Sequence, residues 1–244
     1  MRTAVTLALG TVLSLSLAGT ALAESRTFDL TNFDKVDIAT GLDAVVTLGD
    51  AFSVVATTGS AQALDSLQLE VKDGVLTARL DQNFLDFILS GGLIGMLLSS
   101  GNAVTVEVTL PALAGIEASS GADVRATKLT GDQLVLNASS GANIAVTDAE
   151  VGALRIQASS GADIDISGTA DSIAAEASSG GDIDAEDLVA GNATASASSG
   201  SNMSVNATAS IRAQASSGAD IDVRGNPPER DVDSSSGGDV NFDD

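Results

Sequence analysis

The chain has no cysteine, no histidine, no tryptophan and no tyrosine, and only three prolines in 244 residues. Without Cys there is no disulfide framework, so the fold must be held by its core or by stacking. Without His or Cys, a Ser-His-Asp triad, a thiol nucleophile and a zinc site with imidazole or thiolate ligands are all excluded. Without Trp or Tyr, an indole or phenol platform for sugars is missing as well. Positive charge is scarce: 11 Lys and Arg face 33 Asp and Glu, for a net charge of −22. This argues against nucleic acid and against anionic membrane surfaces as partners. A solvated acidic surface is the plain reading, and cation binding is the sharper one.

Long apolar runs occur in two places. Ala4 to Leu17 follows Arg2 and precedes the small-x-small site Ala21-Leu22-Ala23. That is the pattern of a secretory signal peptide over residues 1–23, cleaved ahead of Glu24. The run is short for a membrane anchor. The expected mature chain is exported, to the periplasm, the outer cell surface or the medium. With Arg2 gone it keeps 10 basic residues against the 33 acidic ones. The second run, Phe84 to Ser100, holds one charge, Asp86, and two apolar arms around Gly91-Gly92. It is too short and too broken by glycine to span a bilayer, so stable membrane insertion is not expected. It fits a core hairpin or end cap, a surface through which copies form a homo-oligomer, or a membrane contact.

Two zones follow the signal. Residues 24–112 carry five of the six Phe and read as short strands of an N-terminal β region. Leu67 to Val71 and Val75 to Leu80 flank Asp73-Gly74, a strong hairpin signal. Val104 to Leu110 alternates and stops at Pro111, and only Ser60 to Ser66 has room for a helical turn. Residues 113–244 are rich in Ala, Ser, Gly and Asp.

The second zone repeats. Ala118-Ser119-Ser120-Gly121-Ala122-Asp123-Val124 recurs around Gly141, Gly161, Gly180, Gly200, Gly218 and Gly237, at intervals of 20, 20, 19, 20, 18 and 19 residues. A fixed period near twenty marks stacked turns rather than separate domains. Counting from each Gly, positions −7, −5, −3, +3 and +5 are apolar or small, as in Leu154, Ile156, Ala158, Ile164 and Ile166. That is the period of a strand with one buried face. Each turn therefore has two strands joined at the Gly and a short third side carrying Leu129, Val151 or Leu188. The Gly suits a positive φ. The Ser at −1 is expected to face inward and to need a hydrogen-bond partner. These features predict an all-β fold, a right-handed parallel β-helix fed by the N-terminal β region. Seven levels about 4.8 Å apart make a segment roughly 30 Å long. The Phe-rich zone is expected to cap one end. Asn226-Pro227-Pro228 breaks the period, and Phe242 is expected to plug the other end.

Phe33-Asp34-Lys35-Val36, Gly41-Leu42-Asp43-Ala44-Val45, Lys72-Asp73-Gly74-Val75-Leu76, Pro111-Ala112-Leu113 and the SSGADV repeats together resemble the head GIN domain family, whose members are labelled “putative autotransporter adhesin”. The resemblance covers almost all of the mature chain. It implies an exported, β-helical, adhesin-like protein and brings no catalytic residues. The apolar insert at 84–100 departs from the family's usual pattern.

The candidate functional residues are acids in register. Position +2 holds Asp123, Asn143, Asp163, Asp182, Asn202, Asp220 and Asp239, and position +4 adds Asp165, Asp184 and Asp222. Alternation points both columns outward. Like charges about 4.8 Å apart repel by roughly 1 kcal/mol in water. Asp163, Asp165, Asp182, Asp184, Asp220 and Asp222 are accordingly the candidates for a hard cation such as calcium, although the nine-residue calcium repeat is absent. Turn chemistry at the Asp and Asn positions is the plainer account. Paired acids also raise a polysaccharide-cleaving β-helix enzyme as an alternative, but no pair breaks the repeat. The composition favours a non-catalytic binding or structural protein whose partner is a glycan or a surface protein.

Overall fold

Buried and exposed residues alternate through every long strand, and around that alternation the chain winds into one 17-stranded sheet. A computed structural model describes residues 24–59, 61–81 and 104–243. The signal at 1–23 and the apolar run at 84–100 lie outside the described residues. The elements are β1 (Glu24–Phe28), β2 (Lys35–Ile38), β3 (Asp43–Leu48), β4 (Ser53–Thr58), α1 (Ala61–Ser66), β5 (Leu67–Lys72), β6 (Val75–Leu80), β7 (Thr105–Leu110), β8 (Gly115–Ser119), β9 (Asp123–Thr127), β10 (Thr130–Ser139), β11 (Asn143–Ser159), β12 (Asp163–Ser178), β13 (Asp182–Ser198), β14 (Asn202–Ser216), β15 (Asp220–Arg224), β16 (Glu229–Ser235) and β17 (Asp239–Phe242).

From β8 onward each strand pairs in parallel with the strand one repeat away. Val124, Ile144, Ile164, Ile183, Met203, Ile221 and Val240 share one column, and Ala118, Ala138, Ala158, Ala177, Ala197 and Ala215 another. The result is a parallel β-solenoid of about six turns. Leu154, Ile156, Ile164 and Ile166 lie within the core, where full burial of such a side chain is worth about 2 kcal/mol. Leu129, Val151 and Leu188 are buried on the third side, as the repeat implied.

The corner corrects one expectation. Ser120 and Gly121 both have positive φ, 55° and 74°, and Ala122 N–H donates to Ser119 O at 3.3 Å. That is the pattern of a type I′ turn. Paired positive φ values recur at every copy, from Ser140-Gly141 to Ser236-Gly237. The −1 Ser was expected inside; it is exposed in all seven copies. Two successive left-handed residues reverse the chain, so the alternation does not run through the turn. The residue after the Gly faces inward instead: Ala122, Ala142, Ala162, Gly181, Ser201, Ala219 and Gly238 are all buried. Ser201 alone brings a hydroxyl there. Its Oγ donates to Ala177 O and accepts from Ser198 N–H, both at 3.1 Å. Successive corners are also tied together, since Gly121, Gly141, Gly180 and Gly200 donate to Ser140, Ser160, Ser199 and Ser217 O at 3.2 Å.

The two ends differ. At the N-terminal end β2 and β3 stack on β8 and β9, and β6 and β7 stack on β2 and β3, all parallel. Antiparallel strands then close the stack: β5 on β6, β4 on β7, and β1 on β4. Asp73 and Gly74, at φ 51° and 82°, make the predicted hairpin between β5 and β6. Phe33 and Phe52 pack 5.0 Å apart, so the Phe-rich zone does cap this end. At the C-terminal end every residue of β16 is exposed, including Val232. Phe242 packs partly against the core, and the Arg230 guanidinium lies 4.1 Å from its ring centre.

Candidate functional site

Register carries the acids into columns. Asp43, Asp123, Asn143, Asp163, Asp182, Asn202, Asp220 and Asp239 follow one another on successive rungs. Sequence counting had missed Asp43, because it precedes the first Ser-Gly copy. Beside them run Arg125, Ala145, Asp165, Asp184, Ser204, Asp222 and Asn241. The structure thus gathers Asp163, Asp165, Asp182 and Asp184 into a two-by-two block. Asp220 and Asp222 are held apart from it by Asn202 and Ser204.

Repulsion in the columns is relieved by amides. Asn143 Nδ2 donates to Asp123 Oδ1 at 2.7 Å, and Asn241 Nδ2 to Asp222 Oδ1 at 3.1 Å. Asn202 donates to Asp182 Oδ1 at 2.9 Å. Three acids, Asp165, Asp43 and Asp37, are raised. Partial desolvation, then Asp184 and Asp187, raise the Asp165 carboxyl above the ordinary 3.8. Asp43 is raised by desolvation and by Asp123, with Arg125 opposing. Asp37, in the column of Glu117, is raised by desolvation and by Glu117, with Arg79 opposing. Among the described residues no three carboxylates converge as a metal-holding group.

A second feature carried no repeat signature. Four rungs of one wall present Ser172, Asn192, Ser210 and Glu229 in one outward column and Ala174, Thr194, Arg212 and Asp231 in another. Between the columns lie Ile173, Ala193, Ile211 and Arg230. All of these but Ala174 line a groove of about 390 Å³. Ser210 Oγ donates to Asn192 Oδ1 at 2.8 Å, and Arg212 pairs with Asp231 at 2.8 Å. Arg230 donates to Pro227 O at 2.9 Å and to Asn226 Oδ1 at 2.5 Å. The register of β13 on β14 slips between Ala185 and Val189 and again between Ala190 and Asn192. This is the rung with the shortest interval, 18 residues from Gly200 to Gly218. A smaller concavity of about 290 Å³ lies on the same wall over Ser178, Ser198 and Ser216.

Residues 32–227 match the family described as “Putative auto-transporter adhesin, head GIN domain”. The chain belongs to this head GIN domain family. No curated protein matches it. The GIN fold is shared with crystal structures of a “putative adhesin” from Bacteroides fragilis NCTC 9343 (TM-score 0.78, 21% identity, covering 92% of this chain and 98% of that one) and a “putative lipid binding protein” from Parabacteroides distasonis ATCC 8503 (TM-score 0.69, 20% identity, 91% and 97%). A “putative adhesin” from Parabacteroides merdae ATCC 43184 is similar too (TM-score 0.65, 15% identity, 93% and 98%). At these identities the likeness is one of fold. Among the described residues of this GIN domain no helix is long and apolar enough to cross a membrane.

Proposed function

We propose that the protein is an exported, non-catalytic, adhesin-like module that binds at the cell surface through the outward columns of its solenoid. The observation that carries this reading is repetition. The acids recur from rung to rung, whereas catalysis needs one constellation that differs from its neighbours. Membership of an adhesin family and a leader-like N-terminus support the same reading. A lipid-binding role, the description given to the Parabacteroides distasonis protein, would call for an apolar cavity; the two concavities above are lined largely by Ser, Asn, Thr, Gln and charged groups.

Fractionation, adhesion and turnover test the proposal together. The expected result is an envelope or secreted protein beginning at Glu24 that coats beads and makes them adhere to cells. It should release no reducing sugar from neutral or acidic polysaccharides. Cytoplasmic protein with its leader intact, or sugar release abolished by Asp163→Asn, overturns it.

A further inference from the structure

The groove along Asn192, Thr194, Ser210 and Arg212 begins where the register of β13 on β14 recovers from its two slips. Rungs of 20 and 18 residues meet there, and a short rung on a long one leaves a step in the wall. Thr208 Oγ1 secures that step by donating to Ala190 O at 3.0 Å. The groups facing the step are hydroxyls, amides, carboxylates and guanidinia on a fixed ladder. We infer that this groove binds a neutral glycan chain, a proposal that rests on the surface-binding reading above.

The chemistry of the lining selects the ligand. Both guanidinia are engaged: Arg212 is paired with Asp231, and Arg230 is held by Asn226, Pro227 O and the Phe242 ring, while Glu229 adds a second carboxylate to the lining. An anionic ligand meets the carboxylates of Glu229 and Asp231 beside those guanidinia, and a chain of net charge −22. A neutral ligand rich in hydroxyls meets donors and acceptors of both kinds. Ser210 fixes the Asn192 amide by bonding its oxygen and leaves its nitrogen to donate. Peptide recognition would use a free strand edge, an apolar slot or an aromatic-lined groove. Here the strands from β12 to β14 are paired on both sides, and no aromatic side chain lines the groove. The ladder repeats about every 4.8 Å, close to the advance per sugar of an extended glycan. Consecutive sugars therefore meet consecutive rungs.

The mature protein on an array of immobilised neutral oligosaccharides, beside uronate and sialylated ones and beside gelatin, tests the inference. Binding to neutral glycans is expected. It should weaken about tenfold in Asn192→Ala, which removes a hydrogen-bonding amide, and vanish in Thr194→Trp, which fills the groove. Lys72→Ala, exposed on the cap strand β5, should bind as the parent does, and all three should melt as the parent does. Neutral-glycan binding untouched by both groove variants, or binding to acidic glycans or gelatin alone, overturns the inference. Adhesion to cells without neutral-glycan binding also overturns it and leaves the surface-binding reading standing. Loss of all adhesion overturns both.

Discussion

Asn202 donates to Asp182 twice: its backbone N–H and its side-chain amide both lie 2.9 Å from the same Oδ1. One amide thereby takes up the charge of the acid one rung away and separates it from Asp220. Asn202→Asp would replace a donor with a like charge about one rung distant, a repulsion of roughly 1 kcal/mol in water. The variant should melt below the parent at neutral pH. The two melts should converge on acidification, as the column protonates. A neutral-pH melt equal to the parent's would show that solvent alone screens the column.

Asp165 titrates in the opposite sense to a salt-bridged acid. Its carboxyl is raised by partial desolvation and by Asp184 and Asp187, so the folded state binds the proton more readily than the unfolded one. Stability therefore falls as pH rises from the ordinary value of 3.8 through the raised value, and stays reduced above it. Asp165→Asn should raise the melting temperature at neutral pH, and the gain should close as pH falls to 3.8 and below. A gain that is the same at every pH would point to the amide's own hydrogen bonds instead.

Gly168 and Gly161 separate two reasons for glycine. Gly168 has φ 129°, and a Cβ there would press into the Ala149 backbone. Gly161 has φ 69° with open space around its missing Cβ. Gly168→Ala should cost at least about 2 kcal/mol, from clash and strain together. Gly161→Ala should cost about 1 kcal/mol, from φ alone. Urea melts that rank them the other way would refute the assignment.

Phe242 and Arg230 meet at the C-terminal end, the guanidinium 4.1 Å from the ring centre. Phe242→Ala and Arg230→Ala should each lower the melt. The double variant should lose less than the sum by about 0.5–1 kcal/mol, the size of a cation–π contact. Strict additivity would mean that each acts alone.

Most of the solenoid is legible because one side-chain period carries it. Ile144, Ile164 and Ile183 recur at the spacing that stacks them, and the register follows. The Ser120 column was misplaced because a period of two was carried through a turn that resets it. Beyond the Asp73-Gly74 hairpin, strand direction in the cap was not legible either, since Val54 and Ala56 alternate in β4, antiparallel to its neighbours, as Ala44 and Val46 do in β3, parallel to both of its own. Of the candidate surfaces, the acids were visible as a repeated residue type. The groove was not, because its columns change type at each rung, from Ser172 to Asn192 to Ser210 to Glu229. The one trace it leaves in the sequence is the 18-residue interval.

The unlike ends make the molecule a ruler with a fixed zero. The antiparallel cap of β1, β4 and β5 sets the origin, and interior rungs meet only their neighbours. Duplicating a whole rung would carry its own turn, its own core residues and its own link to the next corner. The far tip, with Arg230 and Phe242, would advance about 4.8 Å per added rung. Length away from the cap is thus a quantity that copy number alone can tune, with no residue at either end altered.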